Sequence, residues 1–305
     1  LSPDGFAFGA GRAFTHAMEG TVHAYLDIRT LSFVASVIGL LLFACLLYVS
    51  RTRKTYPGFG HWTVSAFCYM LGMLLIGLRN TLPAAFTIVL PNGLLIGTLC
   101  LLGAGIATFA DLKHRLWRYA VPVALSMALS AVFTYHTPSL HTRIAIFSAL
   151  FALCAFWCAI LIHRHIPRFL HSANRLLELS LAVGGLWSVF RGIYTPWFES
   201  SHADLLLSSP VQGASLLIYT VTFIALCFGL SVLNSQRVEY DLSRANDEVK
   251  VLKGIIPICA ACKKIRDDKG YWTQVESYIR SHSEAEFSHG LCPDCVKKLY
   301  PELSR

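Results

Sequence analysis

Long apolar stretches separated by short polar connections dominate the chain. Seven of them, residues 31–49, 62–78, 82–110, 116–135, 144–162, 176–198 and 211–233, reach the roughly 17–25 residues a helix needs to cross about 30 Å of hydrocarbon. Runs of this length predict helices, because in lipid a segment must satisfy its own backbone polar groups. The third run is over-long and carries Pro91-Asn92-Gly93 near its middle. Proline removes one backbone bond, so the expectation is either a kink or a longer helix emerging from the bilayer.

Beyond the seventh run the pattern changes character. Val238, Leu242, Ala245, Val249, Leu252 and Ile256 follow one another at alternating steps of four and three, a heptad seam with no Gly or Pro before Gly254. Two readings fit residues 238–256. One is an amphipathic helix packed on its own terminal module; the other is a parallel two-stranded coiled coil that makes the protein a homodimer. Pro257 disfavours helix at Ile256 and ends the rod there. The remaining residues, 257–305, are polar and short of apolar periodicity. Asp267-Asp268-Lys269-Gly270 reads as a turn with Gly at the positive-φ position, and Tyr271-Trp272 as a short strand. Val275, Tyr278 and Ile279 share one helical face, and a second short helix is expected over residues 296–300.

Composition places most of the chain in a membrane. Of 305 residues 54% are hydrophobic and only 14% charged, against about a quarter charged in a soluble domain. The net charge of +8 does not imply nucleic acid as a partner, because much of it flanks the apolar runs. Arg51, Arg53 and Lys54 follow the first run. Lys113, Arg115 and Arg118 follow the third, Arg164, Arg168 and Arg175 the fifth, and Arg237 and Arg244 the seventh. The opposite connections hold little beyond Arg79, Arg143 and Arg191. The positive-inside rule then puts the N-terminus outside and the C-terminus in the cytoplasm. Residues 1–30 are read as an extracytoplasmic segment. Residues 1–20 show neither a sustained apolar core nor a cleavage pattern, so no signal peptide is read, and Met18 is an alternative start.

The candidate chemistry lies mainly in the tail. Of ten cysteines, Cys45, Cys68, Cys100, Cys154, Cys158 and Cys227 fall inside apolar runs and read as small packing residues. Cys259-Ala-Ala-Cys262 and Cys292-Pro-Asp-Cys295 are two Cys-x-x-Cys pairs at the spacing of a tetrathiolate site, which predicts a structural Zn2+. A segment this small has little core of its own, and a cytoplasmic location favours metal over disulfide. The order of knuckle, hairpin, helix and knuckle at a helix start is treble-clef-like. His289 reads as a group that supports the thiolates from outside the tetrahedron, or as an alternative ligand. Lys263, Lys264 and Arg266 either offset the dianionic metal centre or lower thiol pKa values for redox chemistry. In the membrane half, Asn92 and Arg191 are polar groups within or at the ends of spans, and mark a possible ligand site. His61, His163, His165, His136 and His141 lie near the membrane edges, where solvation is the default and a haem between two of them the alternative.

The fold expected is an all-α polytopic bundle of seven transmembrane helices, a coiled-coil linker over 234–256 and a small cytoplasmic zinc module. The run from Ile256 through Trp272, together with Ser283 through Cys295, resembles a module found at the C-terminus of many bacterial signalling proteins, where it follows PAS domains, receiver domains or membrane sensors. The resemblance covers residues 252–303. Leu26-Asp-Ile-Arg-Thr-Leu and Thr55-Tyr-Pro-Gly-Phe-Gly look like the membrane sensor half of some bacterial diguanylate cyclases, but no GGDEF motif, kinase box or phospho-acceptor His region occurs. The resemblance implies a non-enzymatic sensor in a bacterial inner membrane whose output is the cysteine module acting on a cytoplasmic signalling protein. Two other classes stay open: a transporter or channel with a regulatory zinc tail, and a membrane thiol oxidoreductase using the two Cys pairs. No internal repeat supports the transporter, and Glu178 is close to a span end.

Overall fold

A computed structural model describes residues 27–113, 115, 117–167, 171–198, 210–250, 257–266, 270–282, 285–300 and 302; within helices, the side chains of 171–172 and 247–250 are not described. Met18 and the segment to Leu26, Leu116, Arg168, Leu252, Ile256, the turn at 267–269 and Ser283 therefore lie outside the described residues, as does the side chain of Val249. The chain divides into two compact units, Leu1–Val238 and Glu239–Arg305.

The first unit is an all-α bundle. Its helices are α1 (Ile28–Thr52), α2 (Phe59–Gly77), α3 (Leu90–Phe109), α4 (Trp117–Tyr135), α5 (Leu140–His165), α6 (His171–Phe198) and α7 (Pro210–Lys250), with a π-helical turn at Ala85–Val89 leading into α3. Each apolar run thus carries a helix. Among the described residues, six of these helical segments are long and apolar enough to cross a membrane, the architecture of a multi-pass membrane protein. The helix outside that set is α4, which opens Trp-Arg-Tyr and has Pro122 in its interior. Only Ser126 and Ser130 of α4 are buried, so it lies on the flank of the bundle.

The over-long third run resolves into the π turn followed by α3. Pro91 is in the first turn of α3, where its missing N–H breaks no bond, and the Leu90 N–H reaches back to the Ala85 carbonyl. The interruption is therefore a change of helical register. Helix α3 is the axis of the unit, with buried side chains around much of its circumference. Gly58, with φ of 102°, starts α2 where a side chain would collide with the Gly105 carbonyl of α3. Trp62 then lies directly over Gly105, in edge or tilted contact with Phe59 and Phe109. Small residues also set the α1–α2 contact: Ser32, Ala35, Ser36 and Gly39 are buried, and Gly39 lies against Met70 and Tyr69. Large apolar side chains such as Leu40, Leu41, Leu153 and Val221 point outward, as a lipid-facing surface requires.

Helix α7 is fastened at several heights. Tyr69 of α2 donates to Thr220 Oγ1 at 2.8 Å and stacks on Phe223. Ser188 of α6 is 2.9 Å from the Tyr219 hydroxyl. Lower down, Asn234 accepts from the Tyr56 N–H at 3.0 Å and donates to the Lys54 carbonyl at 3.3 Å. Arg237 donates to the Phe109 carbonyl at 2.5 Å, lies 3.7 Å from Asp111 and covers the Tyr56 and Phe109 rings. Beyond Val238 the helix continues to Lys250, and residues 241–246 are exposed, Leu242 among them.

The second unit contains, after α7, a two-stranded antiparallel hairpin, β1 (Ile265–Arg266) and β2 (Trp272–Thr273), then α8 (Val275–His282) and α9 (Pro293–Leu299). Gly270 has φ of 87°, the conformation expected for the end of the turn. Val275, Tyr278 and Ile279 are the half-buried face of α8. Helix α9 begins at the second Cys pair, three residues earlier than the expected 296–300, because Pro293 starts a helix readily at its first position.

Candidate functional site

Two places collect the side chains singled out in the sequence. The first is a cavity of about 100 Å3 inside the bundle. Asn92 of α3 and Arg191 of α6 both line it. Asn92 donates to Ser130 Oγ of α4 at 2.8 Å, which fixes its amide across the helix contact. Arg191 is 8% exposed and gives two hydrogen bonds to Gln212 Oε1 of α7, from Nε at 2.8 Å and from Nη2 at 2.6 Å. Gln212 in turn donates to Thr195 Oγ1 at 3.0 Å, and the Tyr219 ring lies beneath the guanidinium at 5.9 Å. Trp187 donates to Ser215 Oγ at 2.9 Å beside them.

The cavity also gathers Arg79 and Arg143, which sequence reasoning used only for topology. Arg79 closes α2 and is 7% exposed; Arg143 lies in the first turn of α5 and donates to Thr134 Oγ1 at 3.0 Å. Together with Arg191 near the end of α6 and Gln212 at the start of α7, they all belong to one end of the bundle. The signal was present in the sequence: the charge-poor connections held these three arginines and little else. Further along, Met73, Leu99, Phe223 and Leu226 line the cavity, so one end is cationic and the other apolar. A larger hollow of about 540 Å3 between α3, α4 and α5 is bordered by the exposed Leu125, Leu153 and Trp157, and is a groove on the flank.

The second place is the pair of cysteine turns. The Cys259 N–H donates to the Lys264 carbonyl at 2.8 Å and the Lys263 N–H to the Cys259 carbonyl at 3.0 Å, with Lys263 at φ of 60°. Backbone N–H groups of Cys262 and Ala261, then the Cys262 thiol, hold the Cys259 thiol below its ordinary pKa. Cys292 is the N-cap residue of α9, and the backbone N–H and thiol of Cys295 act on it in the same direction. Cys259 is half-buried, and Cys262, Cys292 and Cys295 are exposed. Each turn is closed as a unit and suits a soft, thiophilic ion. The two turns are not drawn onto one point: among the described residues, no three His, Cys, Asp or Glu groups gather as metal ligands, and His289 is exposed.

Among the described histidines, His163 and His136 lie at exposed positions. His163 is 3.3 Å from Glu178, joining α5 to α6 at an exposed edge, and His136 is exposed at the end of α4. Cys100, Cys158 and Cys227 are buried in the bundle core, as packing residues are. No protein-family model, no curated protein and no solved structure matches the chain.

Proposed function

We propose that the protein is a membrane sensor: the bundle detects a stimulus, α7 carries the response across, and the cysteine module presents it to a cytoplasmic partner. The observation that carries this reading is the course of α7. Its first turns wall the cavity at Gln212, Ser215 and Tyr219, Asn234 and Arg237 latch it to the far end of the bundle, and the same helix runs on unbroken to Lys250. A rigid element bonded at both ends can transmit a displacement that a flexible tether would absorb. The charged groups of the cavity belong to one end only, which favours detection over passage from side to side.

In this reading α4 is a seventh span. Seven spans with Arg and Lys in alternate connections put the N-terminus outside and the tail in the cytoplasm of a bacterial inner membrane. Two protomers pair along Val238, Leu242 and Ala245, the seam continuing through Val249 and Leu252; the exposure of Leu242 at 69% supports a partner there. Cys259, Cys262, Cys292 and Cys295 hold one structural Zn2+, which supplies the module with the cross-link its small core lacks.

Single cysteines at Leu242 or Glu239, in a background lacking the six membrane cysteines, test the linkage in native membranes. Cross-linking between chains is expected at Leu242 and much less at Glu239, and it changes when the stimulus binds. A two-residue insertion at Asn246 turns everything beyond by about 200° and should abolish partner capture. Equal cross-linking at both positions, or capture that survives the insertion, rejects a rigid α7 relay.

A further inference from the structure

We infer that the bundle cavity binds a small single-chain amphiphile with an oxyanion head, a carboxylate or phosphate, held by Arg191. This deepens the sensor reading and rests on it only for the consequence of binding. A guanidinium is a planar fork matched to oxyanions, and burying one in a membrane protein is costly unless something offsets its charge. Arg191 is buried, yet among the described residues its contacts are neutral: one amide oxygen of Gln212 and the face of the Tyr219 ring. Its Nη1 makes no hydrogen bond among those residues, and Gln212 holds Nε and Nη2 so that the fork is already oriented.

The surroundings repeat the preference. Arg79 and Arg143 line the same cavity, and among the described residues no Asp or Glu lines it. Cationic side chains gathered at one end of a cavity draw an anion toward that end. The rest of the cavity sets the body of the ligand. From Gln212 to Leu226, the lining face of α7 spans about 21 Å at the helical rise, with polar groups first and Phe223 and Leu226 last. The lining passes from cationic to apolar along that face. A head at Arg191 and one apolar chain toward Leu226 match that order.

The test uses the full chain in nanodiscs of neutral phosphatidylcholine, with radiolabelled decanoate as the probe and decyl phosphate and decan-1-ol as competitors. Saturable decanoate binding is expected, displaced by decyl phosphate and not by the alcohol. Arg191→Gln should weaken it by about tenfold to a hundredfold, the loss of a charged hydrogen-bond partner, and Arg191→Lys by less. Equal displacement by decan-1-ol overturns the proposal in the wild-type protein, whatever the folding of the variants. Unchanged binding by a folded Arg191→Gln protein overturns it too, as does stabilisation by phosphatidylglycerol in the disc without any decanoate binding. Decanoate that binds through Arg191 but leaves cross-linking at Leu242 unaltered supports the ligand and rejects the relay. A stimulus that alters that cross-linking while decanoate fails to bind does the reverse.

Discussion

The two units of this chain solve the problem of staying folded in opposite ways. The bundle has a deep interior: Trp62, Phe59, Phe109, Met73, Ile96 and Leu177 are almost wholly enclosed, and glycines let α2 and α3 touch backbone to backbone. In the terminal module, among the described residues, Ile265 is the one buried apolar side chain, and neither α8 nor α9 buries any residue. A hairpin of two-residue strands and two short helices cannot balance its chain entropy with so little burial. Each unit's stability must therefore come from a different source. Packing supplies the first, and for the second the proposed zinc site would add a cross-link between the two Cys-x-x-Cys turns.

The largest expected effect separates the two units directly. Treatment of the full chain with a strong zinc chelator, or Cys262→Ser, should unfold the module while leaving the bundle's thermal unfolding unchanged. Structural zinc sites are worth roughly 10–16 kcal/mol in apparent binding energy, far more than any single contact here. Elemental analysis should give one zinc per chain in the wild type and less in the variant. Hydrogen exchange restricted to residues 257–300 reads the unfolding. Amide protection of the module that persists in chelator would falsify the metal assignment.

The second effect tests the bundle's side of the contrast. Gly58 adopts a left-handed φ and abuts the Gly105 carbonyl, so Gly58→Ala meets both backbone strain and a backbone clash. Overpacking of this kind costs roughly 1–3 kcal/mol. The expected outcome is a lowered unfolding temperature in detergent with zinc content unaltered. Gly60, two residues on, has open space for a side chain, and Gly60→Ala should be close to neutral. Equal losses at both positions would mean that the close approach of α2 and α3 does not set the packing.

How far these features were legible in the sequence follows the same division. Each apolar run predicted a helix and each became one, because twenty or so apolar residues in lipid have few alternatives. The π turn before Pro91 was not legible, since both a kink and a longer helix satisfy a missing N–H. In the tail, Gly270 and the face formed by Val275, Tyr278 and Ile279 were readable from local chemistry alone. The cavity was only half readable. Asn92 and Arg191 stood out as polar groups in apolar surroundings, but Arg79 and Arg143 belong to other helices far away in the chain. Gln212 carries no such mark in the sequence, and it is the packing of α6 on α7 that brings it to Arg191.

The smallest effect lies at the rim, where the bundle meets water and behaves more like the tail. Asp27 caps α1: its carboxylate accepts from the Thr30 N–H at 3.0 Å, the Thr30 hydroxyl at 2.6 Å and the Arg29 N–H at 3.2 Å. The Thr30 side chain, then its backbone N–H, pulls the Asp27 pKa below the usual aspartate value. A depressed carboxyl pKa stabilises the folded state above the unfolded value of about 3.9, and that contribution is lost as pH falls through the lower folded value. Asp27→Ala should therefore cost about 1 kcal/mol or less at neutral pH, the low end for an exposed cap, and the wild type and variant should converge in acid. Asp27→Asn keeps an acceptor for the helix N–H groups and should retain much of the stability without the pH dependence. Thermal unfolding of the three proteins at neutral and acidic pH measures both quantities. A difference between wild type and Asp27→Ala that stayed constant across that range would show that the residue acts through packing at the α1 entry and that its charge plays no part.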